Sequence, residues 1–334
     1  MTELVVRPYA KAFEKFAAAR PDVLCLSADL TCSCEIDAFR ERYPAQFLSL
    51  GMAEQNMLSF AGGLAMQGYR PFIHTFGVFL YRRPYDQLIN SIAYPNRKVR
   101  LMGFLPGIMT PGGITHQAIE DIAVMRTIPN MTVLETGDAT EVETICEAAD
   151  AVDGPVYVRV LRGEVPRLFA TPFQIGHMRV LGAGTDVLIL TSGVSTEDAM
   201  PAVAALERYG VSVRHLHIST FKPFDPLPLL AHIGAVRGGI ITMENHLRSG
   251  GLGTLVSEIM AEHGVGRKLI RLGLDDTFAH GASRAYLTRK YGFDGIALVR
   301  AVERLLGQTL PIKAEDLDAA RVAAVHSINK AEAL

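Results

Sequence analysis

The chain has 334 residues, of which 49% are apolar, and its formal charge at pH 7 is −2. This length is too great for one ordinary hydrophobic core and favours two α/β domains in a soluble globular protein. The nearly neutral charge and the lack of a basic stretch exclude the electrostatic footprint of a nucleic-acid-binding protein.

The sequence shows no signal peptide and no uninterrupted apolar stretch of membrane length, so no membrane association is expected. Cys32 and Cys34, two of its four cysteines, lack the spacing of a zinc site or a CxxC redox pair. We therefore expect reduced thiols in a cytoplasmic protein without a metal site of its own.

The first half of the chain alternates strands and helices. Tyr9, Phe13 and Phe16 lie at helical spacing within residues 1–20. The predicted elements that follow are strand 23–28, polar loop 29–35, strand 47–50, helix 56–66, strand 71–75, helix 85–93, strand 99–103, helix 120–126 and strands 132–135 and 156–160. This alternation predicts a mostly parallel sheet with crossover helices.

A second alternation follows a connector in which glycine, proline and arginine accumulate. Its predicted elements are strand 187–191, helix 196–209, strand 212–217, helix 226–234, strand 239–243, helix 253–263, strand 269–272 and helix 296–306. The sequence thus predicts an α/β fold of two domains, each a mostly parallel sheet flanked by helices. The predicted divisions are a first domain 1–165, a connector 166–184, a second domain 185–310 and a helical tail 311–334.

Glu54 stands at the start of the helix that follows strand 47–50, after a turn permitted by Gly51. Unpaired N–H groups at a helix start favour a negative charge. By itself, Glu54 is open to two interpretations. It is either a residue that caps the helix or a carboxyl group held in a cleft to bind a ligand nitrogen.

Several nucleotide and hydrolase motifs are missing from the sequence. There is no GxGxxG after the first strand and no GxxxxGK[ST], which removes support for nicotinamide and nucleotide-triphosphate binding. Ser192 is not in a GxSxG turn, which argues against a serine hydrolase. The glycine-rich run 250–253 precedes a helix, and we interpret it as close strand–helix packing or a tight turn.

Four segments together resemble the transketolase family: the Glu54 segment, residues 76–87, the loop Thr115-His116-Gln117 and residues 244–253. The most specific run is 113–126. The resemblance covers about residues 5–308 and is to the C-terminal half of a transketolase, the pyrimidine-binding domain plus the terminal domain. The chain is similar to the second subunit of transketolases encoded as two chains.

The resemblance implies thiamine diphosphate as cofactor, gripped at its aminopyrimidine ring. Glu54 matches the catalytic carboxyl that hydrogen-bonds ring nitrogen N1′, a role that needs a matched protonation state. The resemblance places the other cofactor contacts at Phe76 and Phe79, which form an apolar wall, Arg82, which flanks the ring, and Asp29, which lies near the cofactor of the neighbouring active site.

The resemblance also implies a substrate site. His116 matches the catalytic histidine that contacts the ketol oxygen of the donor and exchanges a proton with it. Arg7, Ser33 and Arg162 match the site for the sugar phosphate, where guanidinium groups and a hydroxyl suit phosphate oxygens.

Two positions depart from the family pattern. Phe104 stands where a histidine is usual, and Gly112 where an aspartate is usual, so the substrate pocket is expected to be more apolar. The implied substrate is a deoxy, branched or otherwise unusual sugar phosphate.

The family's diphosphate- and magnesium-binding motif, Gly-Asp-Gly followed by a distant asparagine, is missing, and residues 137–139 do not supply it. Thiamine diphosphate and its Mg²⁺ are therefore expected to be held by a separate subunit of transketolase N-terminal type. The expected assembly is a homodimer of this chain within a heterotetramer that contains two copies of each subunit.

The function favoured by the sequence is a transferase that moves a two-carbon ketol unit from a ketose phosphate to an aldehyde. Two other enzymes stay open: a 1-deoxyxylulose-5-phosphate-synthase-like protein and a 2-oxo acid dehydrogenase β subunit. The alternative from another class is a non-catalytic regulatory or scaffold paralogue.

Overall fold

The computed structural model describes residues 2–322 and 324–327 of the chain. Its strands, labelled in chain order, are β1 (Leu4–Val6), β2 (Val23–Ser27), β3 (Phe47–Ser49), β4 (Arg70–Phe76), β5 (Arg100–Phe104), β6 (Thr132–Glu135), β7 (Val156–Val160), β8 (Glu164–Pro166), β9 (Met178–Ala183), β10 (Val187–Ser192), β11 (Val213–Ile218), β12 (Thr220–Lys222), β13 (Gly239–Leu247) and β14 (Leu269–Leu274).

The α-helices are labelled in the same way. They are α1 (Pro8–Ala17), α2 (Asp37–Arg42), α3 (Glu54–Met66), α4 (Gly77–Tyr81), α5 (Tyr85–Gln87), α6 (Asp121–Thr127), α7 (Ala139–Asp150), α8 (Ser195–Arg208), α9 (Pro226–Gly234), α10 (Leu252–Glu262), α11 (Arg284–Lys290), α12 (Gly295–Leu306) and α13 (Ala314–Ala320). A π-helix, Leu88–Ala93, continues α5, and short 3₁₀ turns cover Pro44–Gln46 and Gly113–Thr115.

The first domain is built on a sheet of seven strands within the described residues, in the order β12-β6-β7-β5-β4-β2-β3. All its neighbouring pairs are parallel except β12 with β6. Strands β2, β4, β5, β6 and β7 are almost wholly buried, as expected for parallel strands covered by helices on both faces, whereas the edge strand β3 is partly exposed. The predicted α/β fold of mostly parallel sheets is confirmed.

The second domain is built on the sheet β14-β13-β10-β11-β9, in which only β9 runs antiparallel to its neighbour among the described strands. Strand β9 lies in the segment predicted as a connector. That segment therefore forms an edge of the second sheet.

The two domains pack against each other through a strand and a charged network. Strand β12 follows the second domain's β11 but pairs with β6 of the first sheet. Arg159 of β7 donates hydrogen bonds to Asp121, Glu135 and the carbonyl oxygen of Asn245 in β13, and all these groups are buried. This charged network fixes the two domains against each other.

The C-terminal tail differs from its prediction. Within 311–334, the described helix is α13, and residues 321, 322 and 324–327 are not helical. His326 is buried, and its Nε2 lies 2.8 Å from Oε2 of Glu197 in α8, while the carbonyl of Val325 accepts from the N–H of Glu164. The tail thus runs across both domains. The predicted helix beyond residue 327 lies outside the described residues.

Among the helices in the described part of the chain, none combines the length and the apolar character that crossing a bilayer requires.

Candidate active site

The predicted site residues gather at one edge of the first sheet. Strands β2, β3, β4, β5 and β7 are mutually parallel, and the segments after their carboxyl ends carry Asp29, Glu54, Phe79, Gly112 and Arg162. Open parallel sheets bind ligands at this edge. The topology therefore brings distant parts of the sequence to one cleft.

Glu54 is the first residue of α3, reached through a turn in which Gly51 has a φ of 68°. Its side chain is 4% exposed, and its Oε1 accepts a hydrogen bond of 2.8 Å from Nη1 of Arg83. No other described residue donates to either oxygen of this carboxyl group. Glu54 lies in the first turn of α3 but accepts no N–H of that helix, so the capping interpretation has only its charge in support, and its second oxygen remains available to a ligand.

The aromatic side chains form one wall. The rings of Phe76 and Phe79 are nearly parallel, with centroids 5.9 Å apart and 21° between their planes. The imidazole of His116 meets both rings edge-on, 5.9 Å from Phe76 and 5.6 Å from Phe79. The guanidinium carbon of Arg83 lies 4.1 Å from the centroid of Phe79. Phe79 therefore contacts both the ring of His116 and Arg83, the residue that pairs with Glu54.

The loop that carries His116 is held by Arg82. Its Nε and Nη2 atoms donate to the two oxygens of Glu120 at 2.7 and 2.8 Å, and Nη1 donates to the carbonyl of Ile114 at 2.8 Å. Nη2 also approaches the carbonyl of Gln117 at 3.3 Å. The structure places the guanidinium of Arg82 within this loop, where it positions His116.

Residues of the second domain support the loop before His116. Asn245 of β13 accepts from the N–H of Ile108 and donates to the carbonyl of Pro106, both at 3.0 Å. Gly107 has a φ of 61°, and a Cβ there would lie 2.3 Å from the Asn245 side chain. The family-like segment 244–253 thus acts on the site through the loop that it holds.

The glycine-rich run in that segment packs a strand against a helix. Both carboxylate oxygens of Glu244 accept backbone N–H groups, from Leu252 and Gly253 at 2.6 and 2.8 Å. A Cβ on Gly251 would lie 1.9 Å from this carboxylate. Burial raises the pKa of Glu244 to about 7 despite these hydrogen bonds. The interpretation as close strand–helix packing is confirmed.

The three residues predicted to bind phosphate also come together. The backbone N–H of Arg7 donates to the carbonyl of Gly163, next to Arg162, whose Nη1 donates to the carbonyl of Ser33 at 3.0 Å. Among these contacts, Ser33 takes part through its main chain.

Two carboxylates beside these three residues were missed by sequence reasoning. Asp37 forms an ion pair with Arg7, and Glu35 accepts the N–H of Gly163 at 2.7 Å. Burial opposes ionisation of Asp37, but the hydrogen bond from Arg7 lowers its pKa, whereas burial raises the pKa of Glu35. The acidic residues of segment 35–37 lie close to Ser33 in the sequence, and this position could have indicated that they accompany it. They make the site less positive than two arginines alone.

Two predicted residues are placed differently from the rest. Asp29 is exposed at the end of β2 with a φ of 62° and makes no described side-chain bond. Phe104 is fully buried, with its ring edge-on to Tyr9 at 5.1 Å and near His74. Phe104 therefore packs behind the site.

Arg83, like Glu35 and Asp37, was missed by sequence reasoning. It follows Arg82 directly and precedes Pro84, in a bend between α4 and α5. Arg83 lies inside the family-like segment 76–87, and this position could have indicated that it belongs to the site.

The groups present fit the aminopyrimidine end of thiamine diphosphate. A buried carboxyl with an available oxygen stands beside a flat aromatic face, which suits a planar ring that carries polar nitrogens. No such match to the diphosphate end of the cofactor is found among the described residues. Asp138 caps α7 and accepts N–H groups of Glu141, Leu168 and Phe169 at 2.8 Å. No cluster of metal-ligating side chains occurs among the residues that the structure describes.

Comparison with known proteins identifies the family. The model of the transketolase pyrimidine binding domain matches residues 6–167, and that of the transketolase C-terminal domain matches residues 176–296. The 6-deoxy-6-sulfo-D-fructose transketolase subunit of Clostridium sp. (strain MSTE9) is 34% identical over 89% of this chain and 92% of its own length. This chain belongs to the transketolase family.

Two further relatives are a solved transketolase encoded by a split gene and a longer synthase. A split gene transketolase, described as an inactive beta4 tetramer, superposes with a TM-score of 0.81 at 34% identity, over 91% of this chain and 98% of that one. The 1-deoxy-D-xylulose-5-phosphate synthase of Symbiobacterium thermophilum is 32% identical over 87% of this chain but only 45% of its own length. The family implies use of thiamine diphosphate.

Proposed function

We propose that the chain is the pyrimidine-binding subunit of a two-chain, thiamine-diphosphate-dependent transketolase. It would transfer a two-carbon ketol unit from a ketose phosphate to an aldehyde, together with a separate subunit that holds the diphosphate and Mg²⁺. The convergence of buried Glu54, the Phe76–Phe79 wall and His116 at one sheet edge carries the proposal. The use of Asp138 as a helix cap supports a separate diphosphate-binding chain.

In the proposed mechanism, the chain's own residues bind, orient and exchange protons. Glu54 hydrogen-bonds N1′ of the aminopyrimidine, and Phe79 stacks on the ring. When bound, the cofactor supplies the carbon nucleophile for transfer of the ketol unit. His116 donates to the donor's ketol oxygen and moves a proton there, while Arg82 and Thr115 keep its ring in place.

The far end of the substrate would be bound by Arg7 and Arg162. Charge-assisted hydrogen bonds from guanidinium groups suit phosphate and other oxyanions. Asp37 and Glu35 offset part of this positive charge, so an anion of low charge is also a suitable ligand. One relative is named for a sulfonated sugar, and its name supports an unusual substrate here.

The surface of α3 supports subunit association. Phe60 and Met66 on this helix are 43% and 62% exposed, and Met52 before it is 79% exposed. Apolar side chains grouped on a helix face mark a protein interface. We propose that this face, next to Glu54, contacts another subunit, with a homodimer of this chain inside a heterotetramer.

The test combines the purified chain with a diphosphate-binding subunit, thiamine diphosphate and Mg²⁺. Ketose phosphate and aldehyde are supplied, and products are identified by mass spectrometry. We expect ketol transfer only in the complete mixture. Product from a 2-oxo acid donor instead would favour the synthase or dehydrogenase alternative, and no cofactor-dependent product with any donor would favour the non-catalytic alternative.

A further inference from the structure

Arg83 bridges the two groups that the proposed function assigns to the aminopyrimidine. Its Nη1 donates to Oε1 of Glu54 at 2.8 Å, and its guanidinium carbon lies 4.1 Å above the ring of Phe79. The side chain of Arg83 is 50% exposed, whereas that of Glu54 is 4% exposed. One half-exposed cation therefore touches both a buried carboxylate and an aromatic face.

The guanidinium matches the aminopyrimidine in shape and polarity. It is planar, it stacks on aromatic faces, and its N–H groups lie in its plane. Phe76 lies nearly parallel beside Phe79, and His116 approaches Phe79 edge-on. The guanidinium therefore occupies a face of Phe79 on which a planar ring could stack.

We propose that Arg83 competes with the aminopyrimidine ring of thiamine diphosphate for Phe79 and for Oε1 of Glu54. The inference rests on the proposed function. Binding of the ring displaces the guanidinium toward solvent, where the half-exposed side chain regains full hydration. The ring takes over the hydrogen bond to the buried carboxyl, so Glu54 is not left without a partner.

Arg83 is thus a positioning residue. It holds the carboxyl of Glu54 at the start of α3 until the ring arrives, and it sets how tightly the ring is bound. Only the side chain of Arg83 has to move, because Arg82 next to it stays bound to Glu120.

The test is calorimetric titration of thiamine diphosphate, with Mg²⁺ present, into the chain assembled with its diphosphate-binding subunit. Arg83→Ala should lower the Kd roughly three- to thirtyfold, since a partly exposed ion pair and a cation–π contact no longer oppose binding. Arg83→Lys keeps the charge but loses the planar stack, so its Kd should lie between those of wild type and Arg83→Ala. The thermal midpoint of free Arg83→Ala should be lower than that of wild type, because Glu54 loses its partner.

Arg42→Ala is the matched control. Arg42 is 64% exposed and forms a single 2.6 Å ion pair with Glu14, away from the site. Equal or weaker cofactor binding by Arg83→Ala, or equal tightening by Arg42→Ala, would overturn the inference while the proposed function stands. If the assembled wild type and all variants fail to bind thiamine diphosphate, the proposed function and this inference both fail. If Arg83→Ala does not fold, Arg83→Lys and Arg83→Gln carry the comparison.

Discussion

Gly112 packs directly against the imidazole ring of His116. A Cβ at Gly112 would lie 3.0 Å from Cγ and 3.1 Å from Nδ1 of His116, closer than ordinary side-chain contacts. Gly112 has a φ of −67°, which any residue adopts, so glycine is needed here for space alone. The missing aspartate of the family pattern is thus coupled to the placement of the histidine.

Substitution of Gly112 should therefore affect catalysis through His116. We expect Gly112→Ala to lower kcat/KM for ketol transfer by up to about tenfold, because its Cβ would move the imidazole by a few tenths of an ångström, and we expect the larger side chain of Gly112→Asp to lower it further. Gly234→Ala at the end of α9 is the control, since a Cβ there meets nothing within 4 Å. Improved turnover of ordinary ketose phosphates by Gly112→Asp would instead support the expectation that this position selects the sugar.

Glu54→Gln tests the carboxyl at the start of α3. The amide keeps the volume but cannot exchange a proton with N1′, so kcat of the assembled enzyme should fall by roughly two to four orders of magnitude. The thermal midpoint of the variant should stay near that of wild type, which separates loss of chemistry from loss of folding. Near wild-type turnover would show that Glu54 serves only as a helix-start residue.

The buried network at the domain interface should dominate stability. Arg159 is fully buried and pairs with Asp121 and Glu135 at 2.8 and 2.6 Å. Arg159→Met leaves two buried carboxylates without a counter-charge and should lower the free energy of unfolding by about 3–5 kcal/mol. Arg289→Met, at a half-exposed pair, should cost less than about 1 kcal/mol. Urea denaturation measures both, and equal losses would contradict a special role for the network.

The lowered pKa of Glu141 allows a prediction of how acid affects the contact between the domains. Burial opposes its ionisation, but His217 and Arg179, from β11 and β9, lower its pKa to about 2. The folded pKa lies below the ordinary value of 4.5, so its contribution is full above pH 4.5 and is lost as the pH falls toward 2. This contribution is about 3 kcal/mol, at about 1.4 kcal/mol for each pH unit. Glu141→Gln should flatten this part of the stability profile, and an unchanged acid slope would refute the assignment.

Local sequence patterns predicted the elements well, whereas the roles of the site residues stay predictions. Alternating apolar segments indicated the parallel sheet, and the confirmed family pattern placed Glu54, Phe79 and His116 within one cleft. These residues follow strand ends, and the ends of parallel strands meet at one edge. The strand β12 that crosses to the first sheet was not predictable, because its pairing depends on how the two domains dock.

The ion pairs around the site could not be predicted from local sequence patterns. Arg83 and Glu54 are 29 residues apart, and Arg7 and Asp37 are 30 apart, so their pairing depends on tertiary packing. The burial of Phe104 behind Tyr9 was hidden for the same reason. The expectation that Phe104 opens an apolar gap in the substrate pocket stays a prediction, but its ring is already fully packed in the structure.

Calorimetry with and without the second subunit tests the central claim most directly. Thiamine diphosphate and Mg²⁺ are titrated into the isolated chain, and then into the chain mixed with a diphosphate-binding subunit. The account predicts weak binding to the isolated chain and at least about hundredfold tighter binding to the mixture, since each charged hydrogen bond to the diphosphate contributes about 1.5–3 kcal/mol. Tight, magnesium-dependent binding by the isolated chain would contradict the account.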